Sequence, residues 1–98
     1  MKIYLDDFRD APGDDWVVFR SVPPLIAALK KRDVTHISLD HDLGKPHENG
    51  YDVLLWIETE MANDPEYIPP EITIHTSNPS ARQKMEAGVR SIKNRILK

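Results

Sequence analysis

The chain has 98 residues, 40% hydrophobic and 30% charged, with no cysteine and a formal net charge of −3. This composition excludes disordered and fibrous classes, disulfide frameworks, cysteine–zinc sites and thiol nucleophiles. No window reaches the roughly 18–20 apolar residues of a membrane span, and the early acids of MKIYLDD exclude a signal peptide, so one cytoplasmic domain over 1–98 is expected.

Taken in chain order, Lys2-Ile3-Tyr4-Leu5-Asp6 alternates polar and apolar and predicts a first, half-buried strand. Trp16-Val17-Val18-Phe19 is apolar on both sides and predicts a second. Ser21 is placed to cap a helix that starts at Val22-Pro23-Pro24 and buries Leu25, Ile26 and Leu29; proline is tolerated in a first turn. His36-Ile37-Ser38-Leu39-Asp40 repeats the first template as a third strand. Asn49 or Gly50 opens a second helix, with Val53, Leu54, Trp56, Ile57 and Met61 apolar, which stops before Asn63-Asp64-Pro65. Glu71-Ile72-Thr73-Ile74-His75 is the template again, a fourth strand. Asn78 and Pro79 then open a third helix, whose stripe is Met85, Val89, Ile92 and Ile96. Residues 80–98 carry a net charge of +5 and the remainder −8, which reads as a solvated basic helix face on an acidic body.

Strands separated by helices predict an α/β fold with right-handed parallel crossovers. The order 2-1-3-4 follows if the first and third strands share a site. The link from Phe8 to Asp15 is too short for a crossover helix, which leaves three helices mainly on one face. Lys2, Tyr4, His36, Ser38, Glu71 and Thr73 would then line a sparsely covered second face. An antiparallel hairpin of the first two strands is the alternative.

Ligands of open α/β sheets gather beyond the carboxyl ends of the strands, near the switch in strand order. There the chain places Asp6, Asp7, Asp40, His41 and Asp42, and the fourth strand adds His75, Thr76 and Ser77. Asp6, Asp40 and His75 share one phase of the template and should sit side by side. Any one of these acids alone reads as a turn or cap residue; converging carboxylates repel unless a cation or proton lies between them. Asp6, Asp7, Asp40 and Asp42 are therefore expected to hold a divalent metal, their oxygen donors suiting magnesium, manganese or calcium better than zinc, with magnesium or manganese the expected ion. His41 and His75 titrate near neutrality and suit proton transfer, whereas mid-strand His36 reads as structural. Arg9, Thr76, Ser77, Asn78 and the helix start behind Pro79 suit an anion, although a plain cap explains Asn78 as well.

The segments "LDDFRDAPGDDW", "ISLDHDLG", "NGYD" and "IHTSNPSARQKM" resemble the cyclic-phosphate processing receiver domain family, an offshoot of the receiver domains found in phages and bacteria. The resemblance runs from Ile3 to about Met85 and implies a reduced receiver, or flavodoxin-like, fold. It places the family's acids on Asp6, Asp7, Asp40 and Asp42 and its histidines on His41 and His75. The family's arginine falls on Arg9, its asparagine on Asn78 and its hydroxyl on Thr76. The fifth strand of an ordinary receiver, with its lysine, has no counterpart, which disfavours a phosphoacceptor switch.

The residues favour phosphoryl chemistry, and the resemblance implies a metal-dependent phosphoesterase that processes a cyclic phosphate, on a nucleotide or an RNA end. Asp40, His41, His75 and Thr76 would be catalytic. The alternative is a non-catalytic pseudo-receiver that binds a metal, a nucleotide or a protein partner. The exposed second face and the edge of the fourth strand are candidate surfaces for a homodimer.

Overall fold

The computed structural model describes residues 1–7, 9–40, 42–45 and 48–96. In chain order the elements are β1 (Lys2–Leu5), β2 (Trp16–Phe19), α1 (Val22–Leu29), β3 (His36–Leu39), β4 (Asp42–Lys45), β5 (Glu48–Asn49), α2 (Gly50–Asn63), β6 (Glu71–Ile74) and α3 (Pro79–Ile96). β2, β1, β3 and β6 form one sheet in that order, every neighbouring pair parallel. This is the 2-1-3-4 order expected if the first and third strands share a site, and the parallel pairing of β1 with β2 excludes the hairpin alternative. An antiparallel ribbon of β4 and β5, not anticipated from the sequence, lies between β3 and α2.

In-register pairing puts Ile3 beside Ile37 and Ile37 beside Ile72, with Leu5 beside Leu39 one step on. These side chains are buried together with Leu25 and Leu29 of α1, Val53, Leu54 and Ile57 of α2, and Met85, Val89 and Ile92 of α3. One sheet face thus supports all three helices. Ile96, expected in the α3 stripe, is 55% exposed. An 18-residue helix is about 27 Å long, against about 13 Å for a four-residue strand, so the last turn outruns the sheet.

The second face departs from expectation in its middle row. Lys2 and His36 are half-buried and Glu71 and Thr73 exposed, but Tyr4 and Ser38 are buried. Tyr4 lies between the Trp16 ring, edge-on at 6.0 Å, and the His75 ring, stacked at 4.3 Å with 7° between planes. The second face therefore carries an aromatic cover next to the strand ends.

Two helix starts border those ends. Ser21 occupies the cap position of α1 without a side-chain cap hydrogen bond. α2 starts with a capping box: the Asn49 side chain accepts from Tyr51 N–H at 2.8 Å, and Asp52 accepts from Asn49 N–H at 3.0 Å. Gly50, its first residue, presses on β3 so closely that a Cβ there would lie 2.0 Å from the Asp40 carbonyl oxygen and 2.9 Å from Met85 Cε. Only glycine allows this approach.

Candidate functional site

Each strand ladder runs one residue past its strand. Asp6 N–H donates to Phe19 O at 3.1 Å, Asp40 N–H to Leu5 O at 3.0 Å, and His75 N–H to Leu39 O at 3.0 Å. Asp6, Asp40 and His75 are thereby held in one row across three strands, as their shared phase predicts. Each offers a ligand atom, and these atoms lie within 4.8 Å of one another.

The row is built around His75. Its Nε2 lies 3.1 Å from Asp6 Oδ2, its Nδ1 lies 2.7 Å from Ser38 Oγ, and its face is covered by Tyr4. Asp6, only 1% exposed, also accepts from the Arg9 backbone N–H through Oδ1 at 2.9 Å. Burial pushes the imidazole below its ordinary value near 6.5, against the opposing pull of the Asp6 hydrogen bond and the Asp40 charge. The ring is neutral at neutral pH, the form that ligates a cation. Burial and the Asp6 charge likewise raise the Tyr4 phenol above 10.0, so the stacked partner is neutral too.

Serine, histidine and aspartate in hydrogen-bonded sequence have the connectivity of a hydrolytic triad. Burial decides against that use, since Ser38 is 6% exposed under Tyr4 and His75 and cannot meet a substrate. Two carboxylates and one neutral imidazole instead make a donor set that fits a divalent cation such as manganese or magnesium.

The remaining predicted residues divide. Asp7 is exposed and is not in the three-residue group, because the next residue along an extended chain points the other way. His41 lies outside the described residues, as does the side chain of Asp42. Arg9 is exposed, with NH1 3.3 Å from the His75 carbonyl oxygen, so its guanidinium stands over the strand ends. The Thr76 hydroxyl is buried and accepts from Asn78 N–H at 3.3 Å. Asn78 caps α3, its Oδ1 accepting from Ala81 N–H at 3.1 Å, and Ser77 is exposed beside it. Thr76 and Asn78 thus shape the turn that delivers His75. His36 pairs with Glu71 at 3.3 Å, near the opposite end of the sheet.

Three residues that build the site escaped the sequence reading. Tyr4 and Ser38 each lie two positions before a site aspartate, so they share its face. Arg20 follows β2 as Asp6 follows β1, and its NH1 donates to the carbonyls of Asp6 at 3.1 Å and Arg9 at 2.8 Å. The signal was present in the parallel register, which sets Arg20 beside Asp6.

Four parallel strands in this order, three helices on one face, and an acid–imidazole row beyond the carboxyl ends define a receiver-like α/β domain. The family model of the cyclic-phosphate processing receiver domain matches residues 1–91, and the chain belongs to that family. It is a receiver domain associated with cyclic-phosphate processing. Comparisons with curated proteins and with solved structures find no significant match. No helix among the described residues is long and apolar enough to cross a membrane.

Proposed function

We propose that this domain is a divalent-metal-dependent phosphoesterase that opens a cyclic phosphate, on a nucleotide or an RNA end. The observation that carries the reading is the convergence of Asp6, Asp40 and His75 on three adjacent strand ends, in a chain of a cyclic-phosphate processing family. Asp6, Asp40 and His75 hold the cation, magnesium or manganese. When bound, it supplies charge neutralisation and a lowered pKa for water. Arg9 contributes a guanidinium to the non-bridging phosphate oxygens, and exposed Ser77 contributes a hydroxyl. His75 is held by Asp6, Ser38 and the Tyr4 ring, which suits it to holding a cation rather than to shuttling protons, and His41, next to Asp40 in the chain, is the candidate for proton transfer.

The test is phosphorus NMR of the protein with manganese or magnesium and a panel of cyclic nucleotides, with Asp40→Asn alongside. The expected outcome is conversion of a cyclic-phosphate resonance to a monoester by the wild type alone and only with metal. No conversion across the panel, with manganese bound, would replace the enzyme by a binding module.

A further inference from the structure

We propose that Ser38 is a positioning residue that lets His75 exchange one ring tautomer for the other when a cation enters the site. The inference rests on the metal reading above but concerns a residue which that reading does not use.

In the structure Nε2 of His75 faces a carboxylate oxygen of Asp6 at 3.1 Å. A carboxylate only accepts, so the proton of the neutral ring sits on Nε2. Nδ1 is then a bare lone pair, and the Ser38 hydroxyl, 2.7 Å away, donates to it. For Nε2 to ligate a cation held by Asp6 and Asp40, the Nε2 proton must leave and its lone pair must face the ion. The ring stays neutral by releasing the Nε2 proton to water and taking one from water at Nδ1, so the number of bound protons does not change and the Ser38 hydroxyl keeps its own. Nδ1–H now needs an acceptor at the same place where Nδ1 formerly needed a donor.

A hydroxyl meets both demands, because it donates or accepts by rotating about one bond. A carboxylate or backbone carbonyl at this position would fix Nδ1–H permanently, and a lysine would forbid it. Tyr4, stacked at 4.3 Å, keeps the ring plane, so the exchange needs no movement of the imidazole. Ser38 is buried on β3, and its position is set by the same ladder that sets Asp40. The strand therefore carries a cation ligand and, two residues earlier, the partner that prepares a second ligand on the neighbouring strand.

The experiment is nitrogen-15 NMR of His75 in the full chain, metal-free and with zinc as a diamagnetic probe, with manganese affinity measured by electron paramagnetic resonance. In the metal-free wild type, Nε2 is expected to carry the proton; with zinc, Nδ1. Ser38→Ala should bind manganese about tenfold or more weakly, the range for removing the partner of a metal-ligating histidine, and Ser38→Thr should restore most of it. An unchanged tautomer in a wild type that binds both ions would overturn the inference while leaving the metal reading intact. So would Ser38→Ala binding manganese as tightly as the wild type. Failure of both ions to bind the wild type would overturn both readings together. The tautomer measurement needs no variant, so a poorly folded Ser38→Ala does not shield the idea.

Discussion

At the carboxyl end of the sheet, both nitrogens of His75 are hydrogen-bonded and its face is covered by a tyrosine. At the amino end, the Tyr67 hydroxyl is buried without a hydrogen-bond partner among the described residues. There the Arg32 guanidinium lies 4.4 Å from the Tyr67 ring and bridges Glu60 at 2.6 Å and Asp64 at 3.4 Å, tying α1 to α2 and the loop before β6. Both ends combine an aromatic ring, acids and a cation. They differ in where the polar atoms point. At the amino end the cation is spent on closing the surface, and an orphan hydroxyl, a burden of about 1–3 kcal/mol, is tolerated. At the carboxyl end the arginines hold backbone carbonyls, and carboxylate oxygens converge with an imidazole. The pattern of hydrogen bonding separates a site from a clasp.

The contrast breaks first at Gly50. Gly50→Ala would drive a methyl into the Asp40 carbonyl, so α2 or the end of β3 must move. Overpacking against backbone exceeds the ordinary range of about 1–3 kcal/mol, and we expect a loss of about 3 kcal/mol or more in urea unfolding, together with loss of manganese binding. Retained stability would mean that α2 does not press on the site strand.

A smaller effect sharpens the comparison. Arg20→Ala removes two hydrogen bonds to the backbone that carries Asp6, for an expected loss of about 2 kcal/mol and a weaker manganese affinity. Arg32→Ala opens the exposed clasp for about 1 kcal/mol and should leave manganese affinity unchanged. Equal effects of the two variants on affinity would erase the distinction between the ends.

The smallest effect is on pH dependence in chelator. Burial opposes the charged form at both ends, which lowers His75 below 6.5 and raises Tyr67 above 10.0, the latter against the nearby Arg32 charge. The His75 contribution is therefore complete above about pH 6.5 and is lost as pH falls, because the unfolded chain takes up the proton first. The Tyr67 contribution is complete below about pH 10 and is lost as pH rises, because the unfolded phenol ionises first. Unfolding midpoints across this range should decline at both limits. Tyr67→Phe should shrink the alkaline decline and, by removing the orphan hydroxyl, raise stability at neutral pH by up to about 1 kcal/mol.

Much of this arrangement was legible in the sequence. The repeated strand template placed Asp6, Asp40 and His75 in one phase, their shared site implied the order of the sheet, and the short link before Asp15 put the helices on one face. What escaped depended on neighbours across the sheet. Tyr4 and Ser38 look like surface positions in single-strand alternation, and only pairing and the return of His75 bury them. Arg20 lies outside every motif and gains its role from parallel register alone. The β4–β5 ribbon has no alternation of its own, being four residues against two. Asp7 illustrates the converse, since adjacency in the chain put it in the expected ligand set although neighbouring residues of an extended segment face apart.

The hydrogen bond between His75 and Asp6 joins residues 69 positions apart. β1, first in the sequence, lies in the interior of the sheet between β2 and β3 and meets His75 only through the last strand. During synthesis Asp6 therefore leaves the ribosome long before the ring that completes its row. No truncated chain ending before β6 holds the three-residue row, and the Tyr4–His75 stack forms only when the last strand docks. The Tyr4–His75 stack thus reports the docking of β6, at the same place where the chemistry is proposed to begin.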